Sequence, residues 1–396
     1  MSQLCTSFCA IALLIAAHPG GLQAASEFVG PGGSMAPELT AGADGNLYLS
    51  WIEAQGDGHA LRFSTFDDDG WSDALTVATG DDWFVNWSDW PAVTALGNGV
   101  LVANWRRRNG TAALAYEIRM APSQDGGKTW DTPFTLNDDA TPTQHGFVSI
   151  LPGNATLDVM WLDGRRTAAG AGEDEAMTLR HAVVNADGSV GESVEVDAQT
   201  CDCCQTSVVR VPPGLLVAYR DRTRDEIRDI AVREHSDGRW GPAKLVHEDS
   251  WEFAGCPVNG PALDARESTV AVAWFTAANG QARVLAAQST DGGRSFGAPI
   301  LVSDNRSLGR TDVILLENAE MIVSWSERRL FSSRVMLRRI RGDGIAEDAR
   351  LLREIDIVAN GFPRMVRRGN SIVIAWTEKA GRAGRVRAIV IPADEV

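Results

Sequence analysis

Four cysteines carry the most specific chemistry in this chain. Cys201, Cys203 and Cys204 stand in the run Cys201-Asp202-Cys203-Cys204-Gln205-Thr206, and Cys256 stands in Gly255-Cys256-Pro257-Val258-Asn259-Gly260-Pro261. Thiols at such spacing can form disulfides, bind a soft metal ion or exchange electrons as a redox pair. In an exported protein four cysteines form two disulfides by one of three connectivities. A bridge between neighbours 203 and 204 would leave Cys201 to reach Cys256. If the thiols stay reduced, copper(I) or zinc is the fitting ion, and His145 could add an imidazole.

A second set is cationic. Arg106, Arg107 and Arg108 follow one apolar run, Asp163, Arg165 and Arg166 a second, Arg220, Asp221, Arg222 and Arg224 a third, and Glu327, Arg328 and Arg329 a fourth. Arg310 stands ahead of another run. A guanidinium stays charged and grips a carboxylate or sulfate with two parallel hydrogen bonds, so this set could hold an anion; the alternative is a network of Arg–acid pairs. Trp87 and Trp90 could stack on a sugar ring or fill space between sheets. Asn259 could order its own turn or touch a ligand.

These residues need elements to hold them, and a repeat supplies these. Trp51, Trp105, Trp161, Tyr219, Trp274, Trp325 and Trp376 recur at intervals of about 51 to 58 residues, each closing an alternating apolar run such as Val270-Ala271-Val272-Ala273-Trp274. Each unit reads as four short strands, the signature of a propeller blade. The expected fold is all-β, a seven-bladed propeller of four-stranded antiparallel blades, with six blades as the alternative. The last unit runs out before its fourth strand, and residues 26–29 are placed to complete it and cover the open edge. In this arrangement the segments leading into each first strand share a face with those leaving each aromatic anchor. That phase brings the Cys201–Cys204 run and Cys256 together from adjacent blades.

Two turns carry a further signature, Ser123-Gln124-Asp125-Gly126-Gly127-Lys128-Thr129-Trp130 and Ser289-Thr290-Asp291-Gly292-Gly293-Arg294-Ser295-Phe296. Both match the Asp-box, whose aspartate bonds turn amides and whose glycines supply positive φ. On these motifs the chain resembles the sialidase-like Asp-box (BNR repeat) propeller superfamily. Its Cys-x-Cys-Cys run, Tyr219-Arg220-Asp221-Arg222 and the Cys256 segment are similar to an exported bacterial subgroup often labelled exo-α-sialidase. The resemblance implies an Arg triad for a carboxylate, a Tyr nucleophile paired with Glu, and an Asp acid/base. The three tyrosines, Tyr48, Tyr116 and Tyr219, all fall in strands and none lies late in the chain, and the early Arg-Ile-Pro strand is missing. Sialidase activity of that kind is therefore not expected, while the fold resemblance stands.

Composition narrows the partners. A formal net charge of -15 over 396 residues disfavours nucleic acid and anionic membranes. Residues 8–17 form an apolar stretch followed by Pro19-Gly20-Gly21, which reads as a signal peptide over residues 1–24 ahead of a single domain at 25–396. About ten apolar residues are too few to span a bilayer. The expected protein is periplasmic or secreted, without stable membrane insertion. It binds a small molecule or glycan, such as an anionic glycan, or a protein partner, at a Cys- and Arg-lined axial face. A glycoside hydrolase acting on anionic glycans and a copper, zinc or thiol redox protein are the other two readings.

Overall fold

The computed structural model describes residues 24–42, 44–168, 175–304, 306–356, 361–381 and 383–396. The expected signal peptide's apolar stretch lies outside them. Seven antiparallel sheets follow one another along the chain. Their first strands are Ser34–Ala41, Ala92–Ala95, His145–Pro152, Ser207–Val211, Ala262–Arg266, Ser307–Leu315 and Arg364–Arg368, for blades one to seven. Each first strand touches the first strand of the blades before and after it, and blade seven touches blade one, so the inner strands ring an axis. The fold is a seven-bladed β-propeller.

Ser26–Val29 is the outer strand of blade seven, antiparallel to Ala383–Pro392 with Ser26 opposite Val390. The strand that opens the described chain thus shares a sheet with the strands that end it.

The aromatic repeat explains the packing. The buried apolar residues fall into clusters, each spanning the interface between two adjacent blades, and each holds one anchor. Trp105 packs with blade one, Tyr219 with blade three and Trp51 with blade seven. Every anchor therefore reaches back to the blade that precedes it. All seven are buried. Burying an aromatic side chain contributes on the order of 2–3 kcal/mol.

One expectation is corrected. The second strands do not end at their anchors: Leu101–Arg108 carries Arg106 to Arg108, Thr156–Asp163 carries Asp163, and Met321–Arg328 carries Glu327 and Arg328. Pairing with the third strand continues whatever the side-chain polarity, as at Arg107 opposite Glu117. Several charged residues assigned to loops therefore stand on rigid β backbone.

The two Ser-x-Asp-x-Gly turns fold alike. Gly127 N donates to Ser123 Oγ and Gly293 N to Ser289 Oγ, both at 2.9 Å. Thr129 N and Ser295 N donate to Asp125 and Asp291, again at 2.9 Å. Gly293 sits at φ 86°, and a Cβ there would collide with Leu216 of blade four. Gly293→Ala is expected to lower stability by about 2 kcal/mol or more, since backbone strain and overpacking add. Its neighbour Gly292 also has positive φ but meets only ordinary contacts, so Gly292→Ala should show the smaller, strain-only loss in the same denaturation assay.

Candidate functional site

The segments leading into first strands and the ends of second strands meet on one face, and the thiols lie where blades four and five join. Gly260 packs so closely on the Gln205 backbone that a Cβ would not fit, and Gly260 N donates to Gln205 Oε1 at 3.0 Å. This contact brings the two cysteine segments together. Cys203 and Cys256 form a disulfide, their Cα atoms 6.0 Å apart. Cys201 and Cys204 are free and buried, with their sulfurs 3.1 Å apart. The sulfurs of Cys201, Cys203 and Cys204 all lie within 4.8 Å of one another. Cys204 Sγ also accepts the Asn259 amide at 3.4 Å.

The pairing weighed from sequence, 203 with 204 and 201 with 256, is not formed. A turn at Asp202 and Cys203 sets residues 201 and 204 side by side, as the ends of a four-residue turn are. Cys203, at its corner, is left to reach Cys256 on the next blade.

Arg220 holds this corner. It is 2% exposed and donates to three backbone carbonyls: Asn259 at 2.8 Å, Arg228 at 2.5 Å and Phe275 at 2.7 Å. Its guanidinium lies 4.9 Å from the Trp251 ring centre. The Asn259 side chain ties this corner to blade six. Its Oδ1 accepts Arg310 N at 2.7 Å, and its Nδ2 donates to Pro257 O and Leu308 O. Beside them, Arg222 pairs with Glu226 and Asp202, and Arg228 with Glu226. Asp221 accepts Arg222 N at 2.9 Å; burial and the nearby Asp197 charge push its carboxyl up to about 6.

Blades two and three hold a second polar centre. Arg106 donates to Asp89 through Nε at 2.9 Å and Nη2 at 2.6 Å, with both side chains buried. Asp89 Oδ1 also accepts the amide of Phe147 at 3.0 Å, at a bulge where Phe147 has φ 53°. Asp163 accepts Trp161 Nε1 at 2.8 Å and Arg165 Nε at 2.7 Å; Arg165 also reaches Asp138 at 2.7 Å. In blade six Glu327 accepts Trp325 Nε1 and Ser303 Oγ. Most of the basic residues that follow the anchors thus already hold an acid or a carbonyl.

His145 does not join the thiols. Its Nδ1 faces the carbonyls of Tyr116 and Thr143 at 3.2 and 3.1 Å, and its Nε2 faces Asp139 at 3.1 Å and Asp163 at 3.7 Å. Every neighbour is an acceptor, which suits the doubly protonated ring. Burial pulls its pKa down, but the Asp139 hydrogen bond and both carboxylate charges outweigh burial and raise it. Asp139, His145 and Asp163 lie close enough to share an ion, yet a metal needs the neutral ring. The donor set fits a salt-bridge cluster better than a metal centre. The thiols also fit zinc poorly. Cys203 is in a disulfide, and ligands at about 2.3 Å in a tetrahedron place two sulfurs roughly 3.7 Å apart, farther than the 3.1 Å between Cys201 and Cys204.

The axis opens along the inner strands of blades four to seven. A cavity of about 240 Å³ is lined there by Trp90, Phe362, Arg364, Asp264 and Asp312, among others. Arg364 binds Glu38 at 2.8 Å and lies 3.5 Å from Asp312. Burial pushes Glu38 up to about 7 and Asp264 up to about 6, and raises Asp312 as well. Trp87 is 37% exposed. It stacks on Phe362 with ring centres 6.0 Å apart, and Arg310 lies 4.6 Å from its ring centre. Trp90 also packs on Phe362, with ring centres 5.1 Å apart, and Arg364 lies over its ring at 4.8 Å. Burial and the neighbouring Arg328 charge lower Arg310 to about 10. Arg328 itself is exposed.

Phe362, Arg364, Glu38, Asp89, Asp264 and Asp312 are site residues that the sequence reading missed. A charged residue inside a first strand, as Glu38, Asp264, Asp312 and Arg364 are, was the available signal, because that strand faces the axis. The three tyrosines are buried. Tyr48 bonds Asp44, Tyr219 bonds Asp197, and Tyr116 stacks on Phe84 with ring centres 3.9 Å apart.

No protein-family model and no curated protein matches this chain. Solved structures do. A protein of unknown function from Dyadobacter fermentans is 13% identical with a TM-score of 0.54, over 95% of this chain and all of the other. The polysaccharide lyase Uly1 is 8% identical with a TM-score of 0.55, over 91% and 90%. The Trypanosoma rangeli sialidase bound to sialic acid is 13% identical with a TM-score of 0.48, over 83% of this chain and 56% of the other. At these identities the likeness is one of fold.

Proposed function

We propose that the protein binds an anionic glycan at the axial mouth, with a sugar's C–H edge against the exposed part of Trp87 and the ligand's acidic group near Arg310 and Arg328. The observation that carries this reading is the Trp87 side chain: a part-exposed indole stacked on Phe362, with the Arg310 guanidinium over its ring. The exposed part of the indole offers apolar contact to a sugar's C–H edge, and the two guanidiniums add a local positive charge on an acidic protein. The deeper cavity suits an anion less well, because Glu38 and Asp312 already flank Arg364 and the Asp264 carboxyl also lines it. A polysaccharide lyase shares the fold, which supports a glycan over other anions. An exported site of action also belongs to this proposal, supported by the apolar leader and by a disulfide of the kind that persists in oxidising compartments.

Titration calorimetry with uronate- and sulfate-bearing oligosaccharides tests it. Trp87→Ala should weaken binding about tenfold or more, near 1.4 kcal/mol. Arg328→Ala should weaken it less and flatten its salt dependence. Equal binding of neutral glycans, or affinity indifferent to Trp87→Ala, would sink the proposal.

A further inference from the structure

The buried thiol pair and the neighbouring disulfide have no part in the glycan reading, and they carry a second activity independently of it. We infer that Cys201, Cys204, Cys203 and Cys256 form a thiol–disulfide exchange relay, in which a buried dithiol passes two electrons to the Cys203–Cys256 disulfide and so presents Cys256 to disulfides in solution.

Three observations support the relay. The sulfurs of Cys201, Cys203 and Cys204 lie within 4.8 Å of one another, so the nucleophile, the disulfide sulfur and the resolving thiol are already assembled. The resolving step needs little movement, because Cys201 and Cys204 are 3.1 Å apart. The leaving group is Cys256, an exposed residue, whereas the other three are buried.

The steps balance without an outside oxidant. Cys201 thiolate attacks Cys203 Sγ, the Cys203–Cys256 bond breaks, and Cys256 leaves as a thiolate. Cys204 then attacks Cys201 Sγ, forming a Cys201–Cys204 disulfide and releasing Cys203, whose departing sulfur takes the Cys204 proton. One dithiol and one disulfide have become one disulfide and one dithiol. The freed Cys256 thiolate can next attack a disulfide of another molecule, with Cys203 resolving the mixed disulfide. A dithiol reductant must then reset the inner pair.

The roles of the two buried thiols are unequal. A hydrogen bond from Cys204 lowers Cys201, burial opposes it, and the Cys203 amide with the Arg220 and Arg228 charges lowers it further, leaving the thiol at about 7. Burial drives Cys204 well above the ordinary thiol range. An attacking thiol works best with its pKa near ambient pH. Cys201 is therefore the nucleophile and Cys204 the resolving thiol.

N-ethylmaleimide labelling of the folded protein without reductant, followed by non-reducing digestion and mass spectrometry, tests the relay. In wild type, label should accumulate on Cys256 and Cys203 while a Cys201–Cys204 disulfide appears. Cys201→Ser should cut labelling of Cys256 about tenfold or more, with the Cys203–Cys256 bond intact. Cys204→Ser should stop at a Cys201–Cys203 disulfide with Cys256 labelled, a product that an unfolded chain would not favour. Label on Cys201 and Cys204 with Cys203–Cys256 intact, or zinc or copper held stoichiometrically by the two thiols, would overturn the inference.

Discussion

Arg220→Ala should destabilise the protein by about 3–5 kcal/mol, the range expected when a buried charged hydrogen-bond network loses its centre. The change strands the carbonyls of Asn259, Arg228 and Phe275, from the junction of blades four and five, with no donor. It also removes the guanidinium packed on Trp251. Arg220→Lys keeps the charge but not the planar fork, and one ammonium cannot reach three divergent carbonyls, so most of the loss should remain. Urea denaturation measures both. A loss below about 1 kcal/mol for Arg220→Ala would show that water replaces the guanidinium and that the residue is not the centre of this junction. Because the Arg220 charge favours Cys201 ionisation, the alanine variant should also move the thiol's titration upward while the lysine variant moves it less.

Asp89→Ala should be comparably damaging, about 3–5 kcal/mol, for a different reason. Arg106 would be left buried without its carboxylate, and the Phe147 amide at the blade-three bulge would lose its acceptor. Desolvated and unpaired, the cation is worse than no cation. The double change Asp89→Ala/Arg106→Met should therefore be more stable than Asp89→Ala alone, a non-additivity that a double-mutant cycle reads directly. Two losses that simply add would mean that the pair does not interact in the folded protein.

What could be read in advance follows the physics of each feature. The blades were legible because burial between sheets forces a large apolar residue at the same phase of every repeat, as at Trp161 and Trp325. The meeting of the Cys201–Cys204 run with Cys256 was legible for the same reason, since repeat phase is a coordinate. The disulfide partner was not, because the three connectivities satisfy one spacing and only the turn at Asp202 and Cys203 separates them. Arginine partners were equally hidden. Arg106 finds Asp89 across 17 positions and Arg364 finds Glu38 across 326, and no local pattern links either pair. His145 looked like a ligand because its type permits it, whereas the carbonyls that claim its Nδ1 belong to backbone that carries no residue signature.

The strand Ser26–Val29 has a kinetic consequence. Glu27 meets Arg387 at a separation of 360 positions, and closing so long a loop costs roughly 5 kcal/mol of chain entropy beyond a constant. That contact cannot form until almost the whole chain exists, and it gains nothing from neighbours along the sequence. The seam in blade seven is thus expected to close late in folding and to open early, and proteolysis of a heated sample should begin there.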